Sequence, residues 1–398
     1  MTARTVIVTD GEQRAALAVV RSLGGAGYRC VVAESTRASI AGASRFCARS
    51  VTVPDALESP DDFADAIVSL ANEEQASLLV PIAEQSVLAI LPIRERLLPA
   101  ILPFPDLPAF SALTDKQTLL DEASKLGIAV PTQVILSHAA EIESTDLEAL
   151  PYPVVLKPAR SVGGSAGERI KLGVSYAADP RELRRRILAL PPVAFPLLLQ
   201  QRIVGPGTGV FLLLWDGEVR GRFAHRRLCE KPPTGGVSVY CESIAADEAL
   251  VESSRELLKR FGWRGVAMVE YKRDAETGQP YLMEVNGRFW GSLQLAVDAG
   301  VDFPTLLAAC ALGEPIENQA PYRIGVRSRW WWGQVDHLVG RVRPRASKAP
   351  LPPGTRSVTR ALGDLLLGPF RKGDYEEVLW WNDPRPFWNE TVRWMGAR

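Results

Sequence analysis

The sequence predicts an α/β domain followed by an α+β unit, on three observations. Short apolar strands alternate with amphipathic helices through the first 110 residues, the rhythm of an open parallel sheet. Beyond that the alternation gives way to hairpin signals, with turns at Asp216-Gly217 and at 274–278 between strand-like runs. Finally, 398 residues exceed one ordinary domain and suit two or three sharing an interior.

Residues 5–8 read as a buried strand, 10–14 as a turn and 15–23 as a helix ended by Gly24, Gly25 and Gly27. Strands at 29–33, 50–53 and 77–81 alternate with helices at 61–72 and 84–96, which makes residues 1–110 Rossmann-like. The first turn, Asp10-Gly11-Glu12-Gln13-Arg14, lacks the G-x-G-x-x-G that a dinucleotide site needs, and this disfavours an NAD-dependent oxidoreductase. The Pro-rich stretch 98–108 reads as a linker, and a helix from Thr114 is closed by Gly127 and Pro131. Residues 154–157 form a strand ending in Lys157-Pro158, residues 179–190 a helix and 197–202 a strand. Hairpins then join 209–215 to 218–225 and 266–273 to 279–285.

Lys plus Arg (46) equals Asp plus Glu (46), so no global field favours nucleic acid or an anionic membrane, and an anion site must be local. Five scattered cysteines without a C-x-x-C pair argue against a disulfide framework and a structural zinc, and point to a reducing cytoplasm. No run of 18 apolar residues and no leader-like N-terminus are present, so a soluble protein without a transmembrane segment is expected.

Glu284 and Asn286 lie two apart in a strand and share a face. If the strands pair around Thr277, Glu270 comes opposite Glu284, and two carboxylates with an amide oxygen form a hard donor set suited to magnesium. A wet sheet face would show the same alternation; Arg288, just beyond, favours a phosphate site. Lys157 leads into the loop 160–167, where Gly163, Gly164 and Ser165 let backbone amides approach a polyphosphate, although a plain turn has the same composition. Lys116 follows the helix cap Asp115 and by itself reads as an exposed lysine.

The order of these pieces resembles the ATP-grasp superfamily: Asp115-Lys116, then Leu156-Lys157-Pro158, then Gln200-Gln201-Arg202-Ile203, then Glu270, then Glu284 to Arg288. The segments 205–211, 224–228, 232–240 and 284–303 look like its bacterial carboxylate–amine ligase branch, which includes D-aspartate ligase. The resemblance implies a two-subdomain ATP-grasp fold after the Rossmann-like domain: a small subdomain at 111–195, a large one with the metal site at 196–320, and a Trp-rich C-terminal region at 321–398. It implies ATP on Lys116 and Lys157, a glycine loop over the phosphates, and Gln200, Gln201 and Ile203 at the adenine hinge. Glu270 and Glu284 would bind one magnesium, Glu284 and Asn286 a second, with manganese as an alternative ion. The acid that many relatives carry after the hinge for the ribose is missing here.

The implied reaction joins a small-molecule carboxylate to an amine through an acyl phosphate, with ADP released; a homodimer is compatible with it, and a nucleic-acid partner is not expected. A non-catalytic ATP-binding regulator with the same fold is the alternative. Arg288, Arg226 and Arg227 are the candidate catalytic cations; His225 and Arg160 are further candidates for the substrate carboxylate. Seven of ten tryptophans fall at Trp330, Trp331, Trp332, Trp380, Trp381, Trp388 and Trp394, where core packing and a binding face are both open readings.

Overall fold

Four parallel strands open the chain in the computed structural model, which describes residues 3–164, 169–316, 321–342, 351 and 355–396. They are β1 (Thr5–Thr9), β2 (Arg29–Glu34), β3 (Cys47–Thr52) and β4 (Leu78–Val80), in the order β3-β2-β1-β4. Val6, Val8 and Val32 pack with α1 (Arg14–Gly25), and Ile7, Val31 and Leu79 pack with α2 (Pro60–Glu73). Helices on both faces explain why these strands are apolar on both sides. The strand order reverses beside β1, so the turn at its C-terminal end is the switch point where open α/β sheets leave a crevice. There the Asp10 carboxylate accepts the N–H groups of Ile82 (3.1 Å) and Ala83 (2.8 Å) and the Ser86 hydroxyl (2.6 Å), at the start of α3 (Glu84–Ile90).

The stretch 98–108 is only partly a linker. Helix α4 (Leu107–Thr114) begins inside it, capped by the Asp106 side chain on Ala109 N–H (2.9 Å), with Pro108 in the first turn where no amide donor is required. Helix α5 (Lys116–Lys125) follows. The small lobe then contributes β5 (Gln133–Leu136), β6 (Val154–Pro158), a short ribbon of β7 (Val162–Gly163) and β8 (Ile170–Lys171), then β9 (Ser175–Ala177), α6 (Pro180–Leu188) and β10 (Leu197–Gln201). Its antiparallel sheet runs β5-β10-β6-β9. Alternation splits its faces: Val154, Leu156, Leu197 and Leu199 enter a core with Leu183 and Ile187, while Val155, Lys157 and Gln200 turn to the large lobe.

The large lobe is one seven-stranded sheet, β15-β14-β11-β12-β13-β16-β17. In chain order its elements are β11 (Gly207–Trp215), β12 (Glu218–Lys231), β13 (Val237–Ser243), α7 (Glu248–Arg260), β14 (Gly265–Arg273), β15 (Pro280–Asn286), α8 (Leu293–Ala299), α9 (Phe303–Leu312), β16 (Arg327–Arg329), α10 (Trp331–Val342), α11 (Val358–Leu367), β17 (Asp374–Glu376) and α12 (Arg385–Gly396). The β11–β12 hairpin turns at Asp216 (φ 52°) and Gly217 (φ 80°), the left-handed pair such a turn requires. Val210, Leu212 and Leu214 pack on α7, whereas Gly207, Gly209 and Phe211 face the opposite side.

Strands from beyond residue 320 complete this same sheet, β16 on β13 and β17 on β16. The C-terminal segment also clasps the first domain through the buried pair Arg21–Asp383 (2.9 Å). Trp332 stacks on Trp394 at 4.0 Å and Trp330 donates to Glu390 (2.6 Å), while Trp381 and Trp388 are exposed. Among the described residues no single helix is long and apolar enough to cross a membrane.

Candidate functional site

Between the two lobes lies a cleft of about 760 Å³. Val155 and Gln200 of the small lobe and Met268 and Met283 of the large one line one end, an apolar slot with an amide at its edge. Gln200 donates through Nε2 to Gln133 Oε1 (2.7 Å), which leaves its Oε1 buried without a partner and available to a donor. Ile203 also lines this end; Gln201, next along the strand, does not.

At the middle of the cleft β14 and β15 pair with Glu270 directly opposite Glu284, the pair expected from the sequence, reached through a register shift between Glu270 and Tyr271. Glu270, Glu284, Asn286 and Arg288 all line the cleft. Gly207 on the neighbouring β11 leaves room for the side chain of Arg227 of β12, which donates to Glu270 (2.5 Å) and Glu230 (2.9 Å), while the Phe211 and His225 rings lie over Gly209. Lys157 donates to the Met283 carbonyl (2.8 Å) and lies 3.4 Å from Glu284. Arg288 donates to Asn286 Oδ1 (3.2 Å) and keeps a buried Nε without a partner. Each hard oxygen donor thus already has a cation beside it.

The electrostatics follow from that crowding. Burial pushes the Glu270 carboxyl up, against the opposing pull of Arg227. Burial acts on Glu284 too, but Lys157, Lys116 and Arg227 outweigh it and hold that carboxyl down at about 2. Lys116 is buried, which lowers its ammonium, and it donates to the Ser161 hydroxyl (2.9 Å). Two carboxylates and an amide oxygen facing two lysines fit a divalent cation that bridges phosphate oxygens. Among the described residues no three His, Cys, Asp or Glu side chains cluster as a metal site.

The tertiary structure separates two neighbours that the sequence reading paired. Arg227 enters the cleft; Arg226 points to the other side of β12, where it donates to Glu242 (2.7 Å), a partner shared with Arg327 (2.8 Å). Adjacent strand residues face opposite sides, so of the two candidates Arg227 lines the cleft and Arg226 does not. Arg160 is exposed and donates to Asp115 (3.3 Å). Burial and Arg227 push the His225 imidazole down to about 3, so it is a neutral group and not the cation expected. Gly163 and Gly164 lie on and after β7; Ser165 and the rest of the loop to Gly167 fall outside the described residues.

Several lining residues escaped the sequence reading. Arg14, Lys231, Ser238, Trp290 and Ser292 line the end of the cleft beyond Arg227. Arg14 pairs with Glu377 and donates to the Ser238 carbonyl (3.1 Å), and Lys231 pairs with Asp336 (2.5 Å). The switch-point rule was a usable signal for Arg14, since the turn after β1 is where such a crevice opens; nothing in the local pattern marked the others.

Two lobes closing on a cleft, lysines on one and an acidic hairpin on the other, define an ATP-grasp fold, which the chain shares with solved ligases and carboxylases. Its residues 195–332 match the family described as ATP-grasp in the biosynthetic pathway with Ter operon. Among solved structures it is similar to an L-amino acid ligase from Bacillus licheniformis (19% identity, TM-score 0.62, covering 79% of this chain and 75% of that one). It is also similar to a biotin carboxylase from Campylobacter jejuni in a β,γ-ATP complex (18%, 0.64, 81% and 74%) and to N5-carboxyaminoimidazole synthetase from Staphylococcus aureus with ADP (14%, 0.62, 80% and 80%). A curated relative, the mitochondrial methylcrotonoyl-CoA carboxylase subunit alpha of Arabidopsis thaliana, is 24% identical over 164 residues, which span 38% of this chain and 21% of that protein.

Proposed function

We propose that the protein is an ATP-dependent carboxylate–amine ligase that works through an acyl phosphate and releases ADP and phosphate. The observation that carries the reading is the facing of Glu270, Glu284 and Asn286 with Lys157 and Lys116 at the end of an apolar slot. Adenine would lie between Val155, Met268 and Met283, with Gln200 and Ile203 on its edge. The lysines would hold the phosphates, with the glycines at 163–164 above them. Magnesium, when held by Glu270, Glu284 and Asn286, would offset the charge on the transferring phosphoryl group.

Arg227 then gains a second role. If Glu270 holds a divalent ion, the Arg227 guanidinium would be available to the incoming carboxylate, and Arg288 would hold phosphoryl oxygens. The far end of the cleft, lined by Arg14, Lys231, Ser238 and Trp290, is left for the substrates, and the two lobes exclude water from the acyl phosphate. An L-amino acid ligase and an N5-carboxyaminoimidazole synthetase among the similar structures support ligation as the reaction class.

The test is a screen of small carboxylates with Mg-ATP and hydroxylamine, reading ADP release and hydroxamate together. Carboxylate-dependent ADP and hydroxamate are expected. Formation of AMP and pyrophosphate would assign adenylation instead, and ATP binding without turnover on any carboxylate would leave the regulator reading.

A further inference from the structure

Away from the cleft, α11 carries a feature that the ligase reading does not use. Val358, Leu362 and Leu366 recur at every fourth residue and are exposed, and Phe370, four further on in the turn after the helix, is 86% exposed. Residues four apart stack on one helix face, so solvent meets a continuous apolar stripe. The opposite face packs inward through Ala361 and Leu365. A surface helix ordinarily turns polar residues outward, whereas this one presents Val358, Leu362 and Leu366 there beside Thr359 and Arg360.

Charge accompanies the stripe. Among the described residues of 341–372, Arg341, Arg356, Arg360, Arg371 and Lys372 stand against one acid, Asp364, in a chain whose overall balance is 46 to 46. Asp364 is buried and taken by Arg356 and Arg371, so it offers no negative charge to solvent. Arg360 and Lys372 are exposed beside the stripe.

We propose that this face docks on an anionic lipid surface. The apolar stripe enters the boundary between headgroups and acyl chains, and the flanking cations meet the anionic headgroups. A second copy of the chain is the poorer occupant. A two-fold contact sets the same patch against itself, which brings the two basic segments together with no acid to offset them.

Docking here bears on the cleft through α10. Helix α11 packs on α10, with Arg341 Nη1 donating to the Arg356 carbonyl (2.8 Å). In turn, α10 holds two cleft-lining residues, through His337 to the Glu230 carbonyl (2.6 Å) and Asp336 to Lys231. The rim of the cleft therefore lies one helix away from the proposed membrane surface.

The experiment is flotation of the full chain with phosphatidylcholine vesicles, with and without phosphatidylglycerol. Binding is expected only to the phosphatidylglycerol vesicles, and it should fall as salt rises from about 0.1 M to about 1 M, where the screening length shrinks from roughly 10 to 3 Å. Lys372→Gln should lower partitioning about fivefold, the share of one cation near an anionic surface. Phe370→Ser should lower it about tenfold while leaving the far-UV circular dichroism unchanged, since that side chain is largely outside the core. Equal partitioning onto both vesicle types, or none, overturns the proposal. So does concentration-dependent dimerisation without lipid that Phe370→Ser abolishes, because it would assign the face to a second copy.

Discussion

Glu270 and Glu284 stand directly opposite each other on β14 and β15, yet their protons are held in opposite directions. Burial drives Glu270 up despite Arg227, while Lys157 and Lys116 overcome burial at Glu284 and hold it at about 2. Two carboxylates this close resist carrying two charges in a site shielded from water. A divalent cation held between them, as the proposed function requires, would relieve that repulsion.

Glu284→Ala removes the donor that both proposed magnesium positions would share. Turnover on the carboxylate found by the screen should drop by about 100- to 1000-fold, the scale for losing one preorganised electrostatic partner in a buried site. Folding should survive, because the side chain sits on the cleft face and not in a core. Thermal stabilisation by Mg-ATP, measured beside stabilisation by ATP in EDTA, reads the metal contribution directly; if the variant keeps the magnesium increment, the assignment is wrong.

Replacing Arg227 and Arg226 separately by methionine tests which face of β12 matters. Arg227→Met should lower carboxylate-dependent ADP release by a factor corresponding to about 2–5 kcal/mol, the usual cost of stranding a buried charged partner. Arg226→Met breaks only a contact with Glu242 on the other side of the strand and should leave turnover within about twofold, the range of a partly exposed ion pair. Comparable losses in the two variants would contradict the separation of the faces.

Gly287 tests how tightly the acidic strand is held. A Cβ placed there would come within 2.2 Å of the Trp263 ring, so Gly287→Ala must push apart the segment that carries Asn286 and Arg288. Chemical denaturation should show a loss of about 1–3 kcal/mol, as overpacking generally costs. Magnesium-dependent ATP binding should weaken in parallel. An unchanged midpoint would mean that Trp263 moves freely and does not set the strand position.

His225 makes a pH-dependent contribution whose sign is fixed by its burial. The imidazole is held down to about 3, below the ordinary value of about 6.5 that it recovers on unfolding. Between those two values the unfolded chain binds the proton and the folded protein does not, so stability falls as pH drops from about 6.5 towards 3. His225→Gln removes this contribution, and its stability–pH curve should be flatter than that of the parent over the same window. Parallel curves would show that the imidazole is not kept neutral.

Much of this was legible in the residues themselves. Asp216-Gly217 specifies its hairpin because the turn needs two left-handed residues; the turn at 274–278 sets Tyr271 opposite Leu282, and a one-residue register shift just beyond it brings Glu270 opposite Glu284. These are local relations, decided within a strand pair whose side chains alternate with period two. Lys157 was legible for the same reason, as the last cleft-facing residue of an apolar strand.

What the tertiary structure decided lies between elements distant in the chain. Arg14 reaches the cleft only because the first domain packs against β13 and the C-terminal segment, through Ser238 and Glu377. Arg226 and Arg227 look alike in sequence, and only the pairing of β12 with β11 and β13 settles which one faces Glu270. The joining of β16 and β17 to the large sheet had no counterpart in composition. Strand partners far apart in sequence are selected by which apolar faces can be buried together, and that selection is a property of the folded whole, beyond any window of residues.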